Sequence, residues 1–212
     1  MERPVIGITM GDPCGISPEI TVKALRKEEV YRWARPFVVG DAGVLNLARE
    51  YSGLEDVRIH PVNSPAEGDY RTGVVNVLDL ANVNLDGLRL GEVQAGAGRA
   101  SFEYVQRAIE LAMAGEVDAV ATTSVNKMAL RAGGVPFIGH TEMFAKLTGT
   151  RDPLTMFETR GMRVFFYSRH ISLREAPDSI TEAGLVDFIA RCTDALRRLG
   201  VTEGRMAVAA LN

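Results

Sequence analysis

The sequence predicts an α/β fold: a largely parallel sheet with flanking helices. Short β-rich apolar runs alternate with longer segments of helical period along the chain. The runs are continuously apolar, as suits strands covered on both faces. The chain has 212 residues, of which 46% are hydrophobic and 24% charged, enough apolar material for a buried core and too much for a disordered or fibrous protein.

The expected strands are Val5 to Met10, Pro36 to Gly40, Val57 to Pro61, Val74 to Leu78, Asp118 to Thr122, Leu154 to Glu158, Arg163 to Ser168 and Met206 to Leu211. Two helices are marked by their periodicity. Over 94–114, Phe102, Val105, Ile109 and Ala112 recur at spacings of three and four, while Glu103, Gln106, Arg107 and Glu110 take the other face. Over 181–199, Leu185, Phe188, Ile189, Cys192, Leu196 and Leu199 form the stripe, Thr181 caps the start, and Gly200 sits where a left-handed C-cap residue belongs. Residues 60–98 are rich in Asn, Gly, Asp and Pro and read as loops around one short strand. The last run, RMAVAALN, reads as a strand reaching the terminus. Ligands in open parallel sheets bind beyond the carboxyl ends of strands, so the chain is expected to stop where a further active-site loop would begin.

The balance of charge narrows the partners. With a formal net charge of -3 and a pI near 5.7, there is no broad basic field of the kind that nucleic acid requires. Cys14 and Cys192 are too few and too far apart for a disulfide framework or a zinc-finger pair. There is no leader-like amino terminus, and no apolar run approaches the ~20 residues that span a bilayer. A cytoplasmic protein with reduced thiols is expected.

Four segments could carry chemistry. GITMGDPCGISPEI at 7–20 runs from strand to loop to helix start: Gly11 and Gly15 permit close backbone approach, Ser17 can cap the helix, and Pro18 and Glu19 suit its first turn. It matches neither the Walker A nor the G-x-G-x-x-G pattern, and it also reads as a plain structural turn. TTSVNKMALRAGG at 122–134 ends a buried-looking strand in hydroxyl and amide residues before Lys127, which can pair with an anion or move a proton but on local grounds is also a simple surface lysine. FIGHTEMFAKLTGT at 137–150 sets His140 at a helix mouth, where amides can bind an anion, with Thr141 as a candidate cap. FFYSRHISLREAPDSIT at 165–181 places His170 just after an apolar strand, suited to a metal or a proton. His60, before Pro61, reads as structural, and Ser124 and Ser168 lack a nucleophile-elbow setting.

In order, these segments resemble the 4-hydroxythreonine-4-phosphate dehydrogenase family, including its relatives acting on D-threonate and D-erythronate 4-phosphates. ITMGDPCGISPEI is similar to the family's strand and glycine-proline loop, GHTEMF to its histidine-threonine motif, and RHISLREAPDSIT to its first metal-histidine segment. The resemblance implies a two-subdomain dehydrogenase architecture with the carboxy-terminal part missing, so that 1–212 is a truncated unit whose second subdomain is incomplete. It implies that His140 and Thr141 contact a phosphorylated substrate, that His170 is a divalent-metal ligand for zinc, magnesium or cobalt, and that Lys127 lies near the substrate. It implies NAD or NADP as cofactor, a homodimer, and a place in pyridoxine biosynthesis. A metal holding the alcohol would lower its pKa and polarise the ketone, with decarboxylation following in the 4-hydroxythreonine branch. TSVNK at 123–127 lacks a proline often found before the lysine and is closer to the threonate and erythronate branch.

Two other readings compete with this one. A dihydrodiol dehydrogenase of the same family would not need phosphate recognition at His140 and Thr141. A non-catalytic module binding phosphates or sugar acids would bind without NAD or metal.

Overall fold

A computed structural model describes residues 3–169 and 171–209. The chain forms two compact units that meet between Arg151 and Asp152. The sequence had left that boundary open.

The first unit runs β1 (Val5–Thr9), α1 (Ser17–Leu25), α2 (Glu28–Trp33), β2 (Arg35–Gly40), α3 (Ala42–Tyr51), β3 (Arg58–Val62), β4 (Val74–Asp79), α4 (Ala95–Met113), β5 (Ala119–Thr122), α5 (Lys127–Ala132) and α6 (His140–Leu147). Its five strands form one sheet in the order β3-β4-β2-β1-β5, every neighbouring pair parallel. The apolar runs explain the centre of this sheet. Phe37, Val38 and Val39 in β2 are all fully buried, as are Val75 and Val77 in β4, so helices cover both faces. Burying each such side chain contributes roughly 1.5–3 kcal/mol relative to exposure. Helices α1 and α3 pack together and reach β3 and β4, while α4 lies over β1, β2 and β5 and carries α5 and α6.

Helix α4 departs from the single core face that its periodicity suggests. Val105 and Ile109 do pack into a cluster with Leu130 and Met143. A second row, Ala100, Tyr104, Ala108 and Leu111, is buried in the main core against the sheet. Its small residues conceal that row from a hydrophobic-stripe reading, because alanine marks close packing as readily as helix propensity. Gly98 makes the closest approach: a Cβ there would stand 1.9 Å from the Ala129 carbonyl oxygen in α5.

β5 also differs from expectation. It is the sheet's edge strand, with Ala119, Ala121 and Thr122 exposed, and not a strand buried on both faces. Small apolar residues give the same pattern at an edge as at a centre, and only the strand order separates the two.

The second unit contains β6 (Met156–Thr159), β7 (Met162–Phe165), α7 (Glu175–Asp178) and α8 (Glu182–Arg198). β6 and β7 form an antiparallel hairpin, not further parallel strands covered on both faces. The reason is local: Arg160 and Gly161 both take left-handed φ values, +48° and +81°, as a two-residue hairpin turn requires. Helix α8 follows its sequence signals, with the Thr181 side chain accepting the Gly184 N–H and Gly200 at φ +80°. The strand expected over Met206 to Leu211 is absent from the described residues 206–209, which are exposed. A strand needs a neighbouring ladder, and apolarity alone does not supply one. Among the described residues, no helix is long and apolar enough to cross a membrane.

Candidate functional site

The sheet's winding fixes where a site can form. β1 lies between β2 and β5, its loop leads into α1, and the loop after β5 leads into α5 on the outer side of α4. Thr9 pairs with Thr122, so the two strands end level and their loops open from one edge. Such a divergence at the carboxyl ends of adjacent parallel strands is a topological switch point, where crevices form. An open cleft of about 450 Å³ lies there, lined by Asp12, Gly15, Ile16 and Ser17 from the first loop and by residues 124–128 from the second.

The two loops are tied tightly together. Asp12 N–H donates to the Ser124 carbonyl at 3.1 Å, the Ser17 hydroxyl donates to the same carbonyl at 2.8 Å, and the two serine hydroxyls lie 2.9 Å apart. Thr123 Oγ1 donates to the Thr9 carbonyl at 2.8 Å. Gly11 is what lets the loops approach. It has φ +77°, and a Cβ there would lie 2.3 Å from Thr123 Oγ1 and 2.5 Å from the Ser124 carbonyl oxygen. Gly15 does not have that role, because its Cβ would meet only ordinary contacts with Asp12.

Ser17 therefore does something other than capping. Ile16 is the N-cap of α1 and makes no side-chain cap, while Ser17 is the first helical residue and spends its hydroxyl on the neighbouring loop. Pro18 does sit in the first turn, as its missing N–H allows.

Asp12 is the most unusual group in the cleft. The residue is buried, only 5% exposed, and one carboxylate oxygen accepts the Cys14 N–H at 2.9 Å in an Asx turn. Burial pushes the carboxyl above its ordinary pKa, against the lowering effect of hydrogen bonds from Cys14 N–H and the Asn126 side chain. Asn126 also caps α5, its Oδ1 accepting from Met128 and Ala129 N–H at 3.0 and 3.2 Å. Lys127, the first residue of α5, is exposed on the cleft wall and has no ion pair among the described residues.

The other expected residues lie apart from this cleft. His140 opens α6 after Gly139, and Thr141 is its second residue, exposed and not a cap. Met143 anchors α6 in the cluster that holds Leu130, against which the cleft residue Val125 packs. Among the described residues the start of α6 has no side-chain cap, and the buried His140 Nε2 has no hydrogen-bond partner. Burial lowers the pKa of this imidazole and so favours its neutral form. His170 lies outside the described residues. His60 faces Asn76 at 3.2 Å, in keeping with a structural role. Both cysteines are free and buried.

Asp12 and Asn126 were not singled out by sequence reasoning. The Asp-x-Cys turn and the Asn immediately before a helical lysine were the available signals, and each is common in structural loops.

Comparison with known proteins gives a consistent family. The family described as "Pyridoxal phosphate biosynthetic protein PdxA" matches residues 32–212. A Clostridium botulinum (strain Hall) protein described as "Putative D-threonate 4-phosphate dehydrogenase" is 49% identical over 210 residues, covering 99% of this chain and 63% of its own length. The crystal structure of a 4-hydroxythreonine-4-phosphate dehydrogenase from Burkholderia phymatum superposes with a TM-score of 0.89 at 37% identity, covering 97% of this chain and 62% of that one. A terephthalate 1,2-cis-dihydrodiol dehydrogenase from Burkholderia xenovorans LB400 superposes less well, with a TM-score of 0.68 at 27% identity over 95% of this chain and 60% of its own. The chain thus spans rather less than two thirds of the length of these relatives.

Proposed function

We infer the function from one premise: the chain belongs to the PdxA family. From it we propose that the protein serves NAD- or NADP-dependent oxidation of the secondary alcohol of a phosphorylated hydroxy acid. The substrate class is a threonate or erythronate 4-phosphate, or 4-phosphohydroxy-L-threonine as in pyridoxine biosynthesis, where decarboxylation of the product would follow. The observation that carries the reading is the switch-point cleft, where ligands bind in a parallel sheet, with a lysine on its wall that has no ion pair among the described residues and can hold an anionic group. The identity with a relative named for D-threonate 4-phosphate, and the TSVNK segment, favour the threonate branch.

Within this reading His140 and Thr141 bind the phosphate. The uncapped amides at the start of α6 and the unpartnered His140 Nε2 support that role, because a helix N-terminus of eight residues presents donors and a positive dipole end to an anion. Lys127 holds a second anionic group of the substrate or stands beside the reacting alcohol.

Oxidation removes a hydride from carbon and a proton from oxygen, and NAD or NADP, when bound, accepts the hydride. No described residue is assigned to that cofactor. For a divalent metal such as zinc, magnesium or cobalt, the described residues do not supply a site, because no three His, Cys, Asp or Glu side chains converge among them. His170 is proposed as one ligand. A homodimer belongs to the same proposal.

The test is turnover and binding with D-threonate 4-phosphate, D-erythronate 4-phosphate, 4-phosphohydroxy-L-threonine and a terephthalate cis-dihydrodiol. The phosphorylated acids should bind, and His140→Ala and Thr141→Ala should each weaken them about tenfold or more, the loss typical of a hydrogen bond to a charged group. Exclusive use of the diol, or phosphorylated acids bound equally by both variants, would overturn the reading.

A further inference from the structure

We propose that Asp12 and Lys127 form a single recognition pair in the switch-point cleft, Lys127 holding an anionic end of the ligand while Asp12 accepts hydrogen bonds from its hydroxyl groups. This rests on the functional reading above and adds to it a residue and a criterion: hydroxyl groups on the carbon chain, beyond the phosphate.

Most of the polar side chains that line the cleft are spent on protein partners. Ser17 and Ser124 are occupied with one another and with the Ser124 carbonyl, so they form a wall and offer little to a ligand. Asn126 is spent on the protein, its Oδ1 taken by two helix N–H groups and its side chain also hydrogen-bonded to Asp12. Cys14 N–H is taken by Asp12. Of the side chains that line the cleft, the Asp12 carboxylate keeps acceptor capacity and Lys127 keeps a charge with no ion pair among the described residues.

The carboxylate is only partly used. It accepts Cys14 N–H on Oδ1 and a hydrogen bond from the Asn126 side chain, whereas an ionised carboxylate has about four lone-pair sites, and it lines the cleft beside Gly15. Asp12 has no ion pair among the described residues, although it is only 5% exposed. Leaving a carboxylate desolvated and unpaired costs stability, and such groups concentrate at binding and catalytic sites.

The two groups select a ligand by their chemistry. A purely anionic ligand would satisfy Lys127 and be repelled by Asp12; a cationic one would meet the opposite conflict. A ligand that carries an anion and neighbouring hydroxyl groups satisfies both. Hydroxyl is favoured over ammonium as the partner of Asp12 because a neutral donor is less costly to bring into a shielded site. The raised carboxyl pKa points the same way, since it reflects an environment unfavourable to charge.

The test compares D-threonate 4-phosphate with 4-phosphobutanoate, which has the same two anionic ends and no hydroxyl groups. Affinities for the 212-residue chain would be measured by calorimetry and ligand-observed NMR. Wild type should prefer the hydroxylated compound by about tenfold or more. Asp12→Asn, which retains an oxygen for the Asx turn, and Asp12→Ala should bring that preference toward unity. Lys127→Met should weaken both compounds alike. Thermal unfolding of each variant shows that it is folded, and if Asp12→Ala is not, Asp12→Asn decides. Equal affinity of wild type for the two compounds, or a preference that survives in Asp12→Asn, overturns the pairing while leaving the functional reading in place. Binding of neither compound overturns both. Tighter binding of 4-phosphohydroxy-L-threonine than of D-threonate 4-phosphate, lost in Asp12→Asn, overturns the hydroxyl assignment in favour of an amino group.

Discussion

Replacing Gly98 by alanine tests how the cleft is held in place. Taken as a helical residue, Gly98 should be improved by alanine, which gains about 1 kcal/mol of helix propensity. Its surroundings give the opposite sign. The new Cβ would lie 1.9 Å from the Ala129 carbonyl oxygen, 2.1 Å from its carbon and 2.6 Å from Leu130 N, all backbone atoms with no rotamer by which to yield. Ordinary contact begins at 3.4 Å, so α4 and α5 must part by about 1.5 Å, and overpacking of that kind costs roughly 1–3 kcal/mol or more. Once the propensity gain is subtracted the net expectation is a loss of up to about 2 kcal/mol or more, so that Gly98→Ala falls about 1–3 kcal/mol below a glycine-to-alanine change without the clash. Gly96→Ala is the matched control, because no atom lies within 4 Å of its added Cβ and only the favourable propensity effect remains. Urea unfolding followed by circular dichroism separates the two, as a change in midpoint at constant slope reports stability. Since α5 begins at Lys127, Gly98→Ala should also weaken ligand binding while Gly96→Ala should not. A Gly98→Ala protein as stable as Gly96→Ala would refute the claim that this glycine is required by the α4–α5 contact.

Asn126→Ala should cost about 1 kcal/mol, the usual loss of an N-cap, because Met128 and Ala129 N–H lose their acceptor; an unchanged urea midpoint would count against the cap. Asp12 should give stability a particular pH dependence. Burial raises its native pKa, so the native state holds the proton more tightly than the unfolded chain, and the resulting stability is whole below the ordinary carboxylate pKa and lost as pH rises through the native value. Asp12→Asn removes that slope, so the variant should gain on wild type as pH is raised from acid toward neutral. A gap between the two urea midpoints that stays constant with pH would show that Asp12 carries no such penalty.

Much of the fold was legible because it depends on local chemistry. Apolar runs located β1 to β4, Pro18 marked the first turn of α1, and Thr181 with Gly200 bounded α8, since capping and φ preference act over a few residues. The same locality explains the errors. Ser17 and Thr141 look like caps by position, yet a serine hydroxyl takes whichever acceptor the fold brings near, and for Ser17 that is Ser124, far along the chain. β5, at the edge, looked buried, and residues 206–209 looked like a strand, because apolarity does not reveal whether a neighbouring ladder exists.

The sequence by itself determined the class of fold, the family and the identity of Lys127, His140, Thr141 and His170 as candidates, all of which reside in ordered motifs readable from residue types. Only the tertiary structure decided that Lys127 shares a cleft with Asp12, and that α6 does not line that cleft but joins it through a hydrophobic cluster. The physical reason is strand order. β1 and β5 are separated by more than a hundred residues of chain, and they become neighbours through backbone hydrogen bonds that carry no side-chain pattern. Which loops face one another, and hence which buried carboxyl lines the same cleft as which lysine, follows from that pairing.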